Sequence, residues 1–244
     1  MQITGKVALV TGAGGALGAA IVSQLVAAGA SVIALDKNEQ GLKALPAGVT
    51  AIACDVADSV AVENALADVP PVDILINNVG ILHSAPLVNI VNKDDARFAQ
   101  AAEQFRQVMD VNLLSVFYVT QIIADRMARE RKKGIIVNIS SVSARGNAGQ
   151  SAYAASKAGM NALTAVWAKE LGMLGIRCAA IAPGYIDTPS TRKAVSEAQL
   201  QAITDKVPLK KLGDTSHILQ AIRFVIDNDY VNGTVIDVDG GLVV

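Results

Sequence analysis

Seven short runs rich in β-branched residues alternate with alanine-rich stretches of helical period, and this alternation limits the chain to a small set of folds. The runs are residues 6–11, 31–35, 49–53, 73–77, 134–139, 177–181 and 234–237. The helical stretches between them are 17–28, 59–67, 103–129, 152–171 and 215–227. Strands joined through helices cross over right-handedly and lie parallel, so the expected architecture is α/β, a doubly wound parallel sheet of about seven strands with helices on both faces. At 244 residues one domain suffices. It spans 1–244, with a ligand-binding half at about 1–110 and a catalytic and substrate half at about 111–244. Two irregular segments, 82–102 and 184–207, follow the fourth and sixth strands, on the side where such sheets bind ligands.

Composition narrows the function. Apolar residues make up 52% of the chain and aromatic residues only 4%, which suits buried strands under closely packed helices. No uninterrupted apolar run approaches ~18 residues, and the first residues lack a leader pattern, so a soluble cytoplasmic protein is expected. Lys plus Arg number 21 against 22 Asp plus Glu, which argues against nucleic acid or a membrane surface as partner. Cys54, Cys178, His83 and His217 have no metal-ligand spacing, the cysteines sit in apolar runs, and no metal is expected.

The first run opens through Thr11-Gly12-Ala13-Gly14-Gly15-Ala16-Leu17-Gly18 into a helix. A pyrophosphate needs backbone N–H groups at a helix start with no side chains in the way, and such a turn supplies both. By itself a glycine-rich turn can equally serve close packing. Asp36, however, ends the second run ~20 residues further on, where a carboxylate accepts hydrogen bonds from ribose hydroxyls and repels a 2′-phosphate. The pair points to NAD rather than NADP. Lys37 reads as a solvated turn lysine.

Tyr153 and Lys157 lie four apart in a helical stretch and share one face. A phenol titrating near ~10 is a poor acid–base group at neutral pH, and an adjacent ammonium is expected to lower it. Ser141, at the end of the fifth run, offers a hydroxyl for a substrate oxygen, although a serine there also serves turn capping.

These features together resemble the single-domain short-chain dehydrogenases/reductases, over about residues 6–242. Gly12 to Gly18 is similar to the family's TGxxxGxG turn, with Ala16 in place of the commoner middle glycine. The resemblance implies that Gly12, Gly14, Gly15, Ala16, Leu17 and Gly18 bind the cofactor. Asp55-Val56 resembles the pair that holds the adenine, and Asn77-Asn78-Val79-Gly80 the segment that lies against the cofactor through Asn78 and Gly80. Pro183-Gly184, with Ile186 and Thr188, resembles the turn that faces the nicotinamide. Tyr153-Ala-Ala-Ser-Lys157 matches YxxxK, and Asn112 corresponds to an asparagine that kinks a long helix and positions a relay water. A Rossmann-type fold, NAD, a hydroxy or keto substrate and the catalytic set Asn112, Ser141, Tyr153 and Lys157 follow as implications, with Tyr153 and Lys157 also touching the cofactor. The family's usual thirteen-residue serine–tyrosine spacing would select Ser140; strand register selects Ser141, and Ser140 stays as the alternative.

Two other classes share part of the pattern. An S-adenosylmethionine methyltransferase uses a similar turn and acidic residue but has no need of Tyr153 and Lys157, and a non-catalytic NAD sensor would be free to lose them. Residues 82–91, with Leu82, His83, Ala85, Pro86, Leu87, Ile90 and Val91 ahead of Lys93-Asp94-Asp95, read either as an inserted surface loop or as one wall of the substrate site. Residues 185–207, beginning Tyr185-Ile186, are expected to form a lid. An apolar cleft favours a 3-hydroxyacyl or 3-oxoacyl thioester, with a polyol or sugar alcohol as alternative. Surplus apolar positions on the long helices, among them Phe105, Met109, Val116, Phe117, Val119, Met160, Leu163, Val166 and Trp167, point to a homotetramer.

Overall fold

The computed structural model describes residues 1–88, 100–194 and 196–243. Among these residues seven strands form one sheet: β1 (Val7–Thr11), β2 (Ser31–Asp36), β3 (Thr50–Ala53), β4 (Ile74–Asn77), β5 (Gly134–Ile139), β6 (Ile176–Pro183) and β7 (Val235–Val238). Their order is β3-β2-β1-β4-β5-β6-β7 and every pairing is parallel. Chain direction across the sheet reverses between β1 and β4. Connections therefore leave in opposite directions there and open a crevice beyond the strands' carboxyl ends.

Alternation along the strands builds two apolar layers. Val10, Ile76, Val137 and Ile181 face α1 (Ala16–Ala27), which contributes Ile21 and Leu25, and the late helix 215–227, which contributes Ile218 and Ile222. Leu9, Leu75 and Ile136 face the other way, against α3 (Ser59–Leu66), α5 (Ser115–Arg129) and α6 (Ser151–Gly172). The short α2 (Glu39–Lys43) follows β2. Caps fix where helices begin: Asp58 accepts the Val60 and Ala61 N–H groups at 2.9 and 3.1 Å ahead of α3.

The expected 103–129 helix is helical throughout but not uniform. It consists of α4 (Ala102–Met109), a π turn at Asp110–Leu114, and α5. By length and composition, 102–129 is apolar enough to cross a membrane. Half of that apolar window is buried, with Val116, Val119, Ile123 and Met127 against the sheet.

The 184–207 segment, read as irregular, contains α7 (Pro189–Ala194) and α8 (Glu197–Lys206), ahead of α9 (Thr215–Asp227). Leu200 is the buried residue of α8, too little apolar surface to show a helical period, but Ser196 and Gln199 form a capping box at its start. In the 82–102 segment, Ala85 bridges to Gln150 and its N–H donates to Gly149 at 2.7 Å. Ile90, Val91 and the Lys93-Asp94-Asp95 stretch lie outside the described residues.

Candidate active site

At the switch point a cleft of about 470 Å³ runs from Asp36, Asp55 and Val56 across Gly12, Gly15, Ala16, Leu17 and Gly18 to Asn78 and Gly80. It ends among Ser141, Tyr153, Lys157, Pro183, Gly184 and Thr188. Glycine is required where the backbone folds back on itself: a Cβ on Gly18 would stand 2.0 Å from the Gly12 carbonyl oxygen. Gly12 has φ +67°, and a Cβ there would lie 3.0 Å from Asn78 Nδ2. Asn78 closes the floor, its backbone N–H donating to Thr11 Oγ1 at 3.0 Å and its amide to the Thr11 and Gly12 carbonyls at 3.2 and 3.1 Å. Helix α1 starts at Gly15 without a side-chain cap, so its first N–H groups are not engaged by a capping side chain.

The Asp36 carboxylate accepts the Gly14 N–H at 2.8 Å and the Asn38 N–H at 2.8 Å. Gly14 thus stands behind Asp36 and holds that carboxylate in place. Ile186 is outside the wall, because it bridges to Gly213 and packs against the apolar core. Asn112 is fully buried in the π turn and does not line the cleft either. Its Oδ1 accepts the Ile81 N–H at 2.8 Å, and its amide donates to the Ile81 carbonyl at 2.9 Å and to Ser156 Oγ at 3.3 Å. Cys54, Val79, Ile81, Val111 and Ile139 line the cleft without having been singled out. Their signal was adjacency to motif residues at strand ends. Lys37, read as a free turn lysine, lines the cleft and pairs with Asp55 at 3.5 Å.

The two serines separate by side-chain direction. Both line the cleft, but Ser140 Oγ donates to the Lys157 carbonyl at 3.4 Å. Ser141 Oγ accepts the Ser143 N–H at 3.1 Å, and its side chain lies close enough to the Tyr153 phenol to act against the rise in that group's pKa. Lys157 Nζ donates to the Ile139 carbonyl at 2.7 Å and lies 5.8 Å from the centre of the Tyr153 ring. Gly80 lies against this group: a Cβ there would make ordinary contact, 3.5 Å from Lys157 Nζ and 3.6 Å from Asn112 Oδ1.

Electrostatically the pair differs from expectation. Desolvation around the Tyr153 phenol pushes its pKa up, the Ser141 side chain opposes this, and the Tyr185 phenol adds to it. Lys157 does not bring Tyr153 down in this arrangement; its own burial pulls it to about 8. Tyr153 is therefore held as the acid at neutral pH. The lysine value has a stability consequence. Unfolded lysine titrates near ~10.4, so between about 8 and that value the unfolded chain binds more protons, and the burial penalty present below pH 8 is relieved as pH rises. A shift of that size corresponds to about 3 kcal/mol. Urea unfolding of the protein and Lys157→Met at pH 7 and about pH 10 should show the parent gaining on the variant at the higher pH. A stability difference equal at both would contradict the assigned burial.

The model of the short chain dehydrogenase family matches residues 6–199. The 3-oxoacyl-(acyl-carrier-protein) reductase FabG of Thermotoga maritima is 38% identical over 258 residues, covering 100% of both chains. The L-xylulose reductase of Bos taurus is 34% identical over 248 residues, covering 99% of this chain and 98% of its own. The crystal structure of an NAD+-bound xylitol dehydrogenase superposes with a TM-score of 0.87 at 28% identity, over 99% of this chain and 100% of that one. With the Rossmann-type sheet, the glycine turn and the Tyr153–Lys157 pair in place, the chain belongs to the short-chain dehydrogenase family and is an oxidoreductase.

Proposed function

We propose that the protein is an NAD-dependent oxidoreductase of secondary alcohols and ketones. The observation that carries this reading is the gathering of Ser141 and Tyr153 at the end of the cleft, with buried Lys157 Nζ 5.8 Å from the phenol ring. The cleft fits a dinucleotide: the glycine turn lines it where α1 begins without a side-chain cap on its first N–H groups, and Asp36 stands at the far end. Asp36 and Asp55 disfavour a 2′-phosphate there, which supports NAD over NADP, and Lys37 is already paired with Asp55. NAD when bound supplies the hydride acceptor or, as NADH, the donor.

The protein's own groups then orient and move a proton. Ser141 Oγ holds the substrate oxygen beside Tyr153, and Tyr153 gives its phenolic proton to that oxygen in reduction or takes it back in oxidation. Lys157 places positive charge under the phenol and at the ribose end of the cofactor site. Asn112, fixed to Ile81, maintains the break through which a water joins Lys157 to solvent. A 3-oxoacyl or 3-hydroxyacyl thioester is the proposed substrate class. Leu82 at the cleft and exposed Leu87 and Val88 beyond it support an apolar wall, as does similarity to a 3-oxoacyl reductase. Similarity to L-xylulose reductase and xylitol dehydrogenase supports a polyol as the second reading. The proposed setting is the cytoplasm.

We also propose a homotetramer. Val116, Val119, Met160 and Trp167 are buried in their own domain, but Phe105, Phe117 and Val166 remain 38–44% exposed on α4, α5 and α6. A shallow groove between α5 and α6, lined by Phe117, Ala124 and Leu171, is suited to an isologous helix contact.

NADH consumption measured with an acetoacetyl thioester and with a polyol-derived ketone tests the substrate reading, a higher kcat/KM being expected for the thioester. Tyr153→Phe should lower turnover by about 10² or more while keeping NADH binding, and Asp36→Ala should weaken the preference for NAD over NADP. Parent-like turnover in the Tyr153 variant would overturn the mechanism. Light scattering at micromolar concentration should give four times the chain mass; a monodisperse monomer would refute the tetramer.

A further inference from the structure

Beyond the catalytic set, one arginine ties together the three loops that meet over the site. Ser141 is the N-cap of a single 3₁₀ turn, Val142–Arg145, whose Ala144 N–H donates back to the Ser141 carbonyl at 3.1 Å. The turn's orientation therefore sets where Ser141 Oγ points. The turn is rooted by Val142, which packs with Val207 and Leu242, and closed by the Gly146 N–H, which donates to the Ser143 carbonyl at 3.0 Å. Its outer end is tied to the neighbouring strand by Arg145. Its guanidinium contacts the Asp237 carboxylate on β7 and lies 3.9 Å from an Asp239 oxygen.

Those carboxylates are themselves anchored beside the cofactor turn. Asp237 pairs with Ala182 across β6 and β7. Asp239 has a side chain only 12% exposed, and its Oδ1 accepts the Gly241 N–H at 2.8 Å. A Cβ on Gly184 would stand 2.8 Å from Asp239 Cα, so Asp239 rests directly on the Pro183-Gly184 turn that lines the cleft. Arg145 thus links the serine turn after β5 to the cleft turn after β6 through the end of β7.

We propose that Arg145 is a positioning residue, whose ion pairs with Asp237 and Asp239 hold Ser141 in register with Tyr153 and the Pro183-Gly184 turn. The inference rests on the assignment of Ser141 as the hydroxyl that holds the substrate oxygen. The Arg145–Asp237 pair is half-exposed, so its direct contribution to folding is small. Its effect is geometric, since a displacement on the order of 1 Å at a reacting group costs up to about 10² in rate.

The test separates placement from stability. Arg145→Ala should lower kcat for ketone reduction by about tenfold. KM for NADH should stay within about twofold and the thermal midpoint should barely move, because no core contact is lost. Raising NaCl from 0.05 to 1 M should lower kcat in the parent, where the half-exposed pair is screened, and leave the variant unaffected. The double reversal Arg145→Asp with Asp237→Arg should recover most of the lost kcat. Parent-like kcat in Arg145→Ala, a salt-insensitive parent, or a kcat loss accompanied by an equal loss of NADH binding each overturns the proposal. Ser141→Ala is the control: if it keeps parent kcat, the serine assignment fails whatever Arg145 shows.

Discussion

The burial of the Lys157 ammonium is the constraint on which the rest of the site depends. A cation only 3% exposed is costly unless its donors are met, and here the Ile139 carbonyl at the end of β5 meets one of them. Everything around it serves that placement. Gly80 lies against it, α6 carries it beneath Tyr153, and Ser140 ties the Lys157 backbone to β5. Its pKa of about 8 leaves the charge available at neutral pH while making it responsive to surroundings.

Beneath the site, buried polar side chains keep the strands and helices in one relation. Asn77 donates to Thr120 on α5 and to Asn138 on β5, and Asn138 donates to Thr164 on α6, each at 2.9 Å. Such a network is stable only when its geometry is met, so it fixes α5 and α6 against β4 and β5. The break in the preceding helix has the same logic. The π turn carries Asn112 to the Ile81 backbone, whose N–H and C=O groups have no strand partner.

Period and turn chemistry made most of this legible in the sequence. All seven strands and the helices that cover the sheet follow from apolar alternation, because each must bury a face. Helices α2, α7 and α8 were not legible, since each carries too few apolar residues to print a period; only the Ser196–Gln199 box marks α8. Motif spacing identified the neighbourhood of the cleft but not side-chain direction. That Gly14 buttresses Asp36 through its N–H and that Ile186 packs on the core emerge only in the assembled fold. The direction of the Tyr153 shift was also beyond the sequence, because it depends on how completely the phenol is desolvated, a property of the assembled fold.

In the proposed mechanism these groups orient a carbonyl for direct hydride delivery while Tyr153 supplies the proton. NADH deuterated at C4 on each face in turn, incubated with the protein and a panel of ketones and 3-oxoacyl thioesters, tests this by mass spectrometry of the products. The account predicts that one of the two labelled cofactors places a single deuterium on the carbinol carbon, and that deuterated water in a parallel reaction labels no carbon at that position. An alcohol product whose carbinol hydrogen comes from solvent, or no reduced product with any of the panel, would contradict it.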